Sequence, residues 1–235
     1  MRQIVFDLET TGFSYAEGHR IVEIGAVELV GGAVTGRSFH TYVNPAREMP
    51  EGAYRVHGLT AAFLSDKPLF ADPRVAPAFV EFAGDAGFIA HNGLAFDLPF
   101  LNAELEAAGL PAFPLDRMFD TLTLARRRYP GAPASLDALC AKFGINARER
   151  VRDGHGALLD SRLLAAVYVE LTGGAQAGLQ FDDAPMEVEA AIAAFAPRVR
   201  PRVLARLLTD AEAAAHARFI AELGPASLWA ELAAA

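Results

Sequence analysis

The sequence predicts an α/β fold: a mixed sheet flanked by helices, followed by a C-terminal linker and a docking helix. Three observations carry this expectation. Strand-like runs come first, within residues 1–43. Short strands then alternate with helical patterns up to Gly174, and strands followed by such alternation imply a mixed sheet with helices packed on it. Beyond Gly174 the composition turns Ala- and Pro-rich. With 235 residues, 52% of them apolar, the chain can build one sizeable core plus an appendage too short to fold alone.

Residues 4–9 (IVFDLE) read as the first strand. Residues 20–30 (RIVEIGAVELV) and 37–43 (RSFHTYV) follow, joined across Gly31-Gly32, a hairpin signal. From Thr60 the pattern turns helical, with apolar spacings of three and four through 74–83. Residues 87–90 (GFIA) form a short strand, and a helix is expected from about 94 to 108, ending at Gly109. Asp120–Arg128 reads as a short strand leading into a helix that stops before Pro130. Ser135 caps another short helix closed by Gly144, and the most regular helix spans about 157–172. The expected organisation is a domain over 1–174, a linker over 175–208 and a tail over 209–235. No internal repeat is visible.

Charge and composition exclude several classes. The single cysteine, Cys140, cannot make an internal disulfide, which fits a reducing cytoplasm. No apolar run approaches the roughly 18 to 20 residues of a membrane span, so no membrane partner is expected. Met1 leads straight into MRQIVFDLE, which has no signal-peptide pattern. The net charge of −8 counts against a protein that grips nucleic acid by neutralising phosphates. Any such substrate must be held through metal ions or delivered by a partner.

Against that background the placement of acids matters. Asp7 and Glu9, two apart on a strand, leave the same face at its C-terminal end, the edge where ligands collect in such sheets. In isolation a D-x-E at a strand end reads as readily as a solvated rim. Asp97 lies straight after the GFIA strand and the His91-Asn92-Gly93 turn, in the first turn of a helix, where an acid also complements the helix dipole. His155 and Asp160 are five apart, about 140° off a common helix face. Both reach one site only if His155, between Gly154 and Gly156, precedes the helix that contains Asp160. Four convergent carboxylates would repel and raise one another's pKa unless divalent cations neutralised them. Oxygen donors suit two Mg²⁺ or Mn²⁺ ions, the pair that clamps a phosphodiester displacement, and not zinc.

Asp7-x-Glu9, Asp97, and His155 with Asp160 resemble, in order and spacing, the signature of the DEDDh (DnaQ-like) 3′→5′ exonucleases. The likeness extends over residues 1–174. It is strongest to the epsilon proofreading subunits of bacterial DNA polymerase III, through FDLETTG, HRIVEIGAVE, VHGLT, SLDALC and HGALLDSRLLAAVYVELTGG. The resemblance implies a ribonuclease-H-like fold and stepwise removal of mismatched nucleotides from a DNA 3′ end. It also implies roles: Asp7, Glu9 and Asp160 as metal ligands, with Asp7 bridging two ions, and Asp97 as a fourth acid acting through water. His155 matches the general base, a task suited to a pKa near working pH. His57, Thr10 and Asn92 match contacts to the terminal nucleotide, alongside the metal-bearing acids. Where relatives often carry an acid five residues before that histidine, this chain has Gly52.

Two segments lie beyond the domain. Gln176, Leu179 and Phe181 fit a Q-x-x-L-x-F pattern for hooking the beta sliding clamp, with two apolar anchors and a hydrogen-bonding end. The tail resembles the end of epsilon that binds the polymerase III alpha subunit. Thr209 and Glu212 form a capping box, Ala213, His216, Ile220 and Leu223 make an apolar stripe, and Gly224-Pro225 ends it. Leu228 and Trp229 follow as candidate anchors. Arg198, Arg200, Arg202 and Arg206 read as a solvated basic run. The alternatives are a free-standing nuclease acting on RNA or short oligonucleotides, which would need no docking segments, and a non-catalytic scaffold, which would need no acid set.

Overall fold

A computed structural model describes residues 1–148, 150, 154–173 and 208–224 of the chain. Two compact units divide it, Met1–Leu179 and Gln180–Ala235. The first is built on a five-stranded sheet: β1 (Arg2–Thr10), β2 (Ile21–Val30), β3 (Ala33–Tyr42), β4 (Gly87–Ala90) and β5 (Met118–Asp120). The spatial order is β3-β2-β1-β4-β5. The first three strands run antiparallel, whereas β4 and β5 add in parallel. This is the mixed sheet expected from the sequence. The β2–β3 turn needs positive φ at both Gly31 (60°) and Gly32 (83°), which glycine takes without a steric cost.

Alternation along β1 sets up both core layers. Ile4, Phe6 and Leu8 face one layer with Ile24, Phe79, Phe88, Leu98, Leu101 and Leu105. That layer is closed by α3 (Ala76–Ala83) and α4 (Asp97–Ala107). Val5 faces the other, with Val27, Leu29, Ile89, Leu139, Leu163, Leu164, Val167 and Leu171. There lie α5 (Thr121–Arg128), α6 (Leu136–Phe143) and α7 (Ala157–Thr172). Fully burying each large apolar side chain contributes about 1.5–3 kcal/mol. On strand period, Asp7 and Glu9 continue the Val5 face, so the α7 layer is the one that meets them.

Local signals set most boundaries. Ser135 Oγ accepts from the Ala138 amide and Gly144 closes α6 in the left-handed conformation. The Thr60 side chain caps α2 (Ala61–Leu64). The differences from the sequence reading have physical causes. The strand expected at 37–43 begins at Ala33, because this exposed edge strand carries no apolar alternation to mark its start. The strand expected to open at Asp120 ends there, and the Asp120 carboxylate caps α5 by accepting from Leu122 and Thr123. The helix expected from about 94 begins at Asp97, since the backbone makes a turn through Asn92 (φ 69°) first. A helix at α1 (Glu51–His57) was not expected, and His57 is its last residue.

In the second unit, α8 (Asp210–Leu223) has the capping box read from the sequence: Glu212 N donates to Thr209 Oγ1, and Thr209 N donates to Glu212 Oε2. Phe219 and Leu223 are exposed, and Ile220 is half-buried. Gln176, Leu179, Phe181, the four arginines of 198–206, Leu228 and Trp229 lie outside the described residues. Among the described residues, no helix is long and apolar enough to cross a membrane.

Candidate active site

The acids meet because three elements converge on the C-terminal end of β1. In the β1–β2 ladder Asp7 lies opposite Gly25. A Cβ at Gly25 would stand 2.1 Å from the backbone of Ala157 and Leu158, so only glycine lets the first turn of α7 approach this closely. Ser161 Oγ donates to the Gly25 carbonyl at 2.8 Å and fixes that contact. The same turn delivers Asp160, while His155 stands just before the helix, as its five-residue spacing requires. Asp97 enters from α4, where its own backbone amide and that of Leu8 favour the ionised carboxylate. The Leu94 amide donates to Asp120 Oδ2 at 3.2 Å, which ties the preceding turn to β5.

Asp7, Glu9, His155 and Asp160 line one open cavity of about 590 Å³ together with His91, Arg126 and Arg150. Glu9, Asp97 and Asp160 are buried, whereas Asp7 keeps part of its surface open to the cavity. Desolvation first, then repulsion from Asp97, Glu9 and Asp160, pushes the Asp7 carboxyl well above the usual range. Burial, with Glu23 and Asp160 next, raises Glu9 to about 8. Burial raises Asp97 to about 7 against its two amide donors. Such clustered, under-compensated acids fit a divalent cation. Donor atoms of Glu9, His155 and Asp160 lie within 4.8 Å of one another, and hard carboxylate oxygens suit Mg²⁺ or Mn²⁺.

A second cavity of about 410 Å³ adjoins the first through Leu8 and Glu9 and is of opposite character. Thr10, Phe13, Val56, His57 and Phe96 line it. The His57 ring is buried; Nδ1 accepts from the Leu59 amide at 3.1 Å, while Nε2 has no hydrogen-bond partner. Burial lowers its pKa. Thr10 Oγ1 donates to the Gly12 carbonyl at 2.7 Å. Gly52 borders this cavity with open space where a side chain would stand. Asn92 is exposed and lines neither cavity; its neighbour His91, bonded to Thr121 at 2.9 Å, lines the charged one.

Sequence reasoning missed Arg150, Arg126, His91, Phe13 and Gly25. Phe13 carried a signal, an aromatic straight after the D-x-E turn; it is 90% exposed with its ring 6.5 Å from Phe96. The others owe their place to packing between distant segments.

The family model for exonucleases matches residues 4–168. The chain is 48% identical over 190 residues to the DNA polymerase III subunit epsilon of Rickettsia felis, covering 80% of this chain and 81% of that one. To the same subunit of Escherichia coli K12 it is 40% identical over 242 residues, covering 97% of each. The chain belongs to the DNA polymerase III epsilon family. Among solved structures it resembles exonuclease X in complex with 5′ overhanging duplex DNA, at a TM-score of 0.53 and 26% identity, over 72% of this chain and 90% of that one. Exonuclease I shares the fold, with a TM-score of 0.63 at 18% identity, over 73% of this chain and 40% of that one. In this member of the epsilon family the region matched by the exonuclease model contains the mixed sheet and the acid-lined end of β1.

Proposed function

We propose that this chain is a proofreading 3′→5′ exonuclease that trims mismatched nucleotides from DNA 3′ ends within a replicative polymerase III assembly. The observation that carries this reading is the junction of the two cavities at Glu9: acids with raised pKa beside an apolar recess. A recess of that size accepts a terminal nucleotide, with Phe13 and Phe96 offering aromatic faces to its base. The unpartnered Nε2 of His57 supplies a buried polar group for its sugar or phosphate, and Thr10 stands beside it.

Asp7, Glu9 and Asp160 would hold two Mg²⁺ or Mn²⁺ ions, with Asp97 supporting the set from behind. When bound, such ions supply Lewis-acid stabilisation of the phosphodiester displacement and neutralise the carboxylates. His155 takes the proton of the attacking water as general base, from its place on the rim of the acid cluster. Arg126 on the same wall gives the departing strand a cationic contact in an otherwise acidic protein.

Docking completes the reading. The match to the E. coli subunit takes in nearly the whole chain, including segments past Gly174. Gln176, Leu179 and Phe181 are proposed to bind the beta sliding clamp, and residues 209–235, with Ile220, Leu223, Leu228 and Trp229, the alpha subunit. The exposed Phe219 and Leu223 on α8 support a partner surface. Residues 1–174 would be the nuclease domain, 175–208 the linker, and the compartment the cytoplasm.

The test is co-purification with the organism's own polymerase, followed by digestion of a primer with a 3′-terminal mismatch. Stepwise mononucleotide release that needs Mg²⁺ and stops with EDTA is expected. Internal cleavage, or release indifferent to EDTA, would refute it.

A further inference from the structure

One charged side chain in the acid cluster has no part in the chemistry proposed above. The Arg150 side chain is 9% exposed and turns two of its three nitrogens into the site. Its Nε donates to Asp160 Oδ1 at 2.6 Å, its Nη2 donates to His155 Nδ1 at 2.9 Å, and its Nη1 donates to Asp137 Oδ1. Guanidinium nitrogens only donate, so His155 Nδ1 must be the accepting nitrogen of its ring. The 3.4 Å separation between that Nδ1 and Asp160 Oδ2 is then a close approach and not a hydrogen bond.

These contacts collide with the roles of both partners. The Asp160 oxygen at 2.6 Å from the guanidinium is a donor atom that a divalent cation needs. The His155 nitrogen that accepts from Arg150 cannot take a proton from water while it does so. A guanidinium and a divalent cation also repel at this range, where surrounding protein weakens screening. The third contact offers a way out. Asp137 is 62% exposed on its side chain, sits at the start of α6, and already holds Nη1 from the solvent side.

We propose that Arg150 is a positioning residue that competes with the divalent cations: its guanidinium holds Asp160 and His155 when the acids carry no metal, and loading the metals displaces it toward Asp137. The inference rests on the metal site proposed above. The acid cluster is thereby kept folded between loadings, and the base is released only when the metals are in place. Arginine suits this better than lysine, because one planar fork reaches three partners at once whereas an ammonium is a point charge.

The experiment uses the full chain without DNA: isothermal titration with Mn²⁺, and melting curves in EDTA and in saturating Mn²⁺. The variants are Arg150→Ala, Arg150→Gln and Asp137→Asn. Removing the competing charge should tighten Mn²⁺ binding about tenfold, a shift of the size one partly screened charge produces. The melting temperature should fall in EDTA and stay unchanged in Mn²⁺, so the gap between the two curves widens. Asp137→Asn, which removes the place of retreat, should weaken Mn²⁺ binding. Should Arg150→Ala fold only in Mn²⁺, that is the widest gap and supports the inference, and Arg150→Gln then supplies the affinity. Unchanged or weaker Mn²⁺ binding by both Arg150 variants, or equal losses of melting temperature in both conditions, would overturn it. A parent chain that binds no Mn²⁺ would instead overturn the metal site itself.

Discussion

The two cavities that share Leu8 and Glu9 are neighbours of similar size and opposite chemistry. The larger is walled by Asp7, Glu9, Asp160, His155, Arg126 and Arg150, and burial and repulsion raise the carboxyls of Asp7 and Glu9 in it. The smaller is walled by Phe13, Val56, Phe96 and His57, and its stress is a single unpartnered ring nitrogen. Leu8 and Glu9 border both cavities, and the contrast comes from the other walls: Asp7, His155 and Asp160 on one side, Phe13, Val56 and Phe96 on the other. On the function proposed above, the division assigns reaction to one wall and recognition to the other. Damage to the charged wall should appear in turnover, and damage to the apolar wall in substrate affinity.

The largest effect should come from the acids. Asp7→Ala or Asp160→Ala should bring nuclease activity to background while the fold survives. In EDTA Asp7→Ala should melt no lower than the parent, because one member of a mutually repelling set is gone, whereas Asp160→Ala should melt lower, because it leaves the buried Arg150 without its partner. The stabilisation by Mn²⁺ should shrink, and a variant stabilised as strongly as the parent would remove that acid from the metal site.

His155→Ala should come next, with turnover down about 10² to 10⁴, the usual worth of a general base. Its proximity to Glu9 and Asp160 allows a ligand role as well, and the two roles separate by titration. A base leaves Mn²⁺ affinity nearly intact when removed; a ligand does not.

Phe13→Ala should break the other side of the comparison. Loss of one stacking face costs about 1–3 kcal/mol per base, so KM should rise roughly tenfold or more with kcat little changed. An equal fall in kcat would mean that the two cavities are one functional unit.

How much of this was legible beforehand depended on the range of the interactions. The caps at Ser135 and Thr209, the glycine stops and the 157–172 helix are local features, and they were readable. The shared face of Asp7 and Glu9 was readable from strand period, and the place of His155 ahead of the Asp160 helix from helix period, whereas the gathering of these residues with Asp97 into one site came from the family resemblance. Helix α1 was hidden because EGAYRVH has no apolar period and Pro50 gives its start no side-chain cap. Arg150 was hidden more deeply: it is one arginine in a charged stretch, and nothing nearby in the sequence announces that its partners are Asp137 and Asp160. Gly25 reads as a weak spot in a strand until α7 is seen lying against it.

The smallest effect is a pH dependence of stability, in which the buried acids and the buried histidines act with opposite sign. Glu9 and Asp97 have folded-state pKa values of about 8 and 7, above the 4.5 and 3.8 of unfolded carboxyls, and Asp7 is displaced the same way. For these groups the folded chain binds more protons than the unfolded one. Their stabilisation is therefore complete below about pH 4 and is lost as pH rises through the folded values. His57 and His91 act in the opposite sense, because burial lowers both below 6.5, so stability is recovered as pH climbs toward 6.5. Above 6.5 the histidines no longer contribute and the acids remain. Melting temperature in EDTA should thus fall between pH 6.5 and 8.5. Saturating Mn²⁺ should flatten or reverse that fall, since cations bind the ionised carboxylates. Asp160→Ala should reduce the slope by relieving Glu9 and Asp7, whereas Phe13→Ala should leave it untouched. A level curve in EDTA would mean that the acids are not held protonated by burial and repulsion, and the charged cavity would lose the property that separates it from its neighbour.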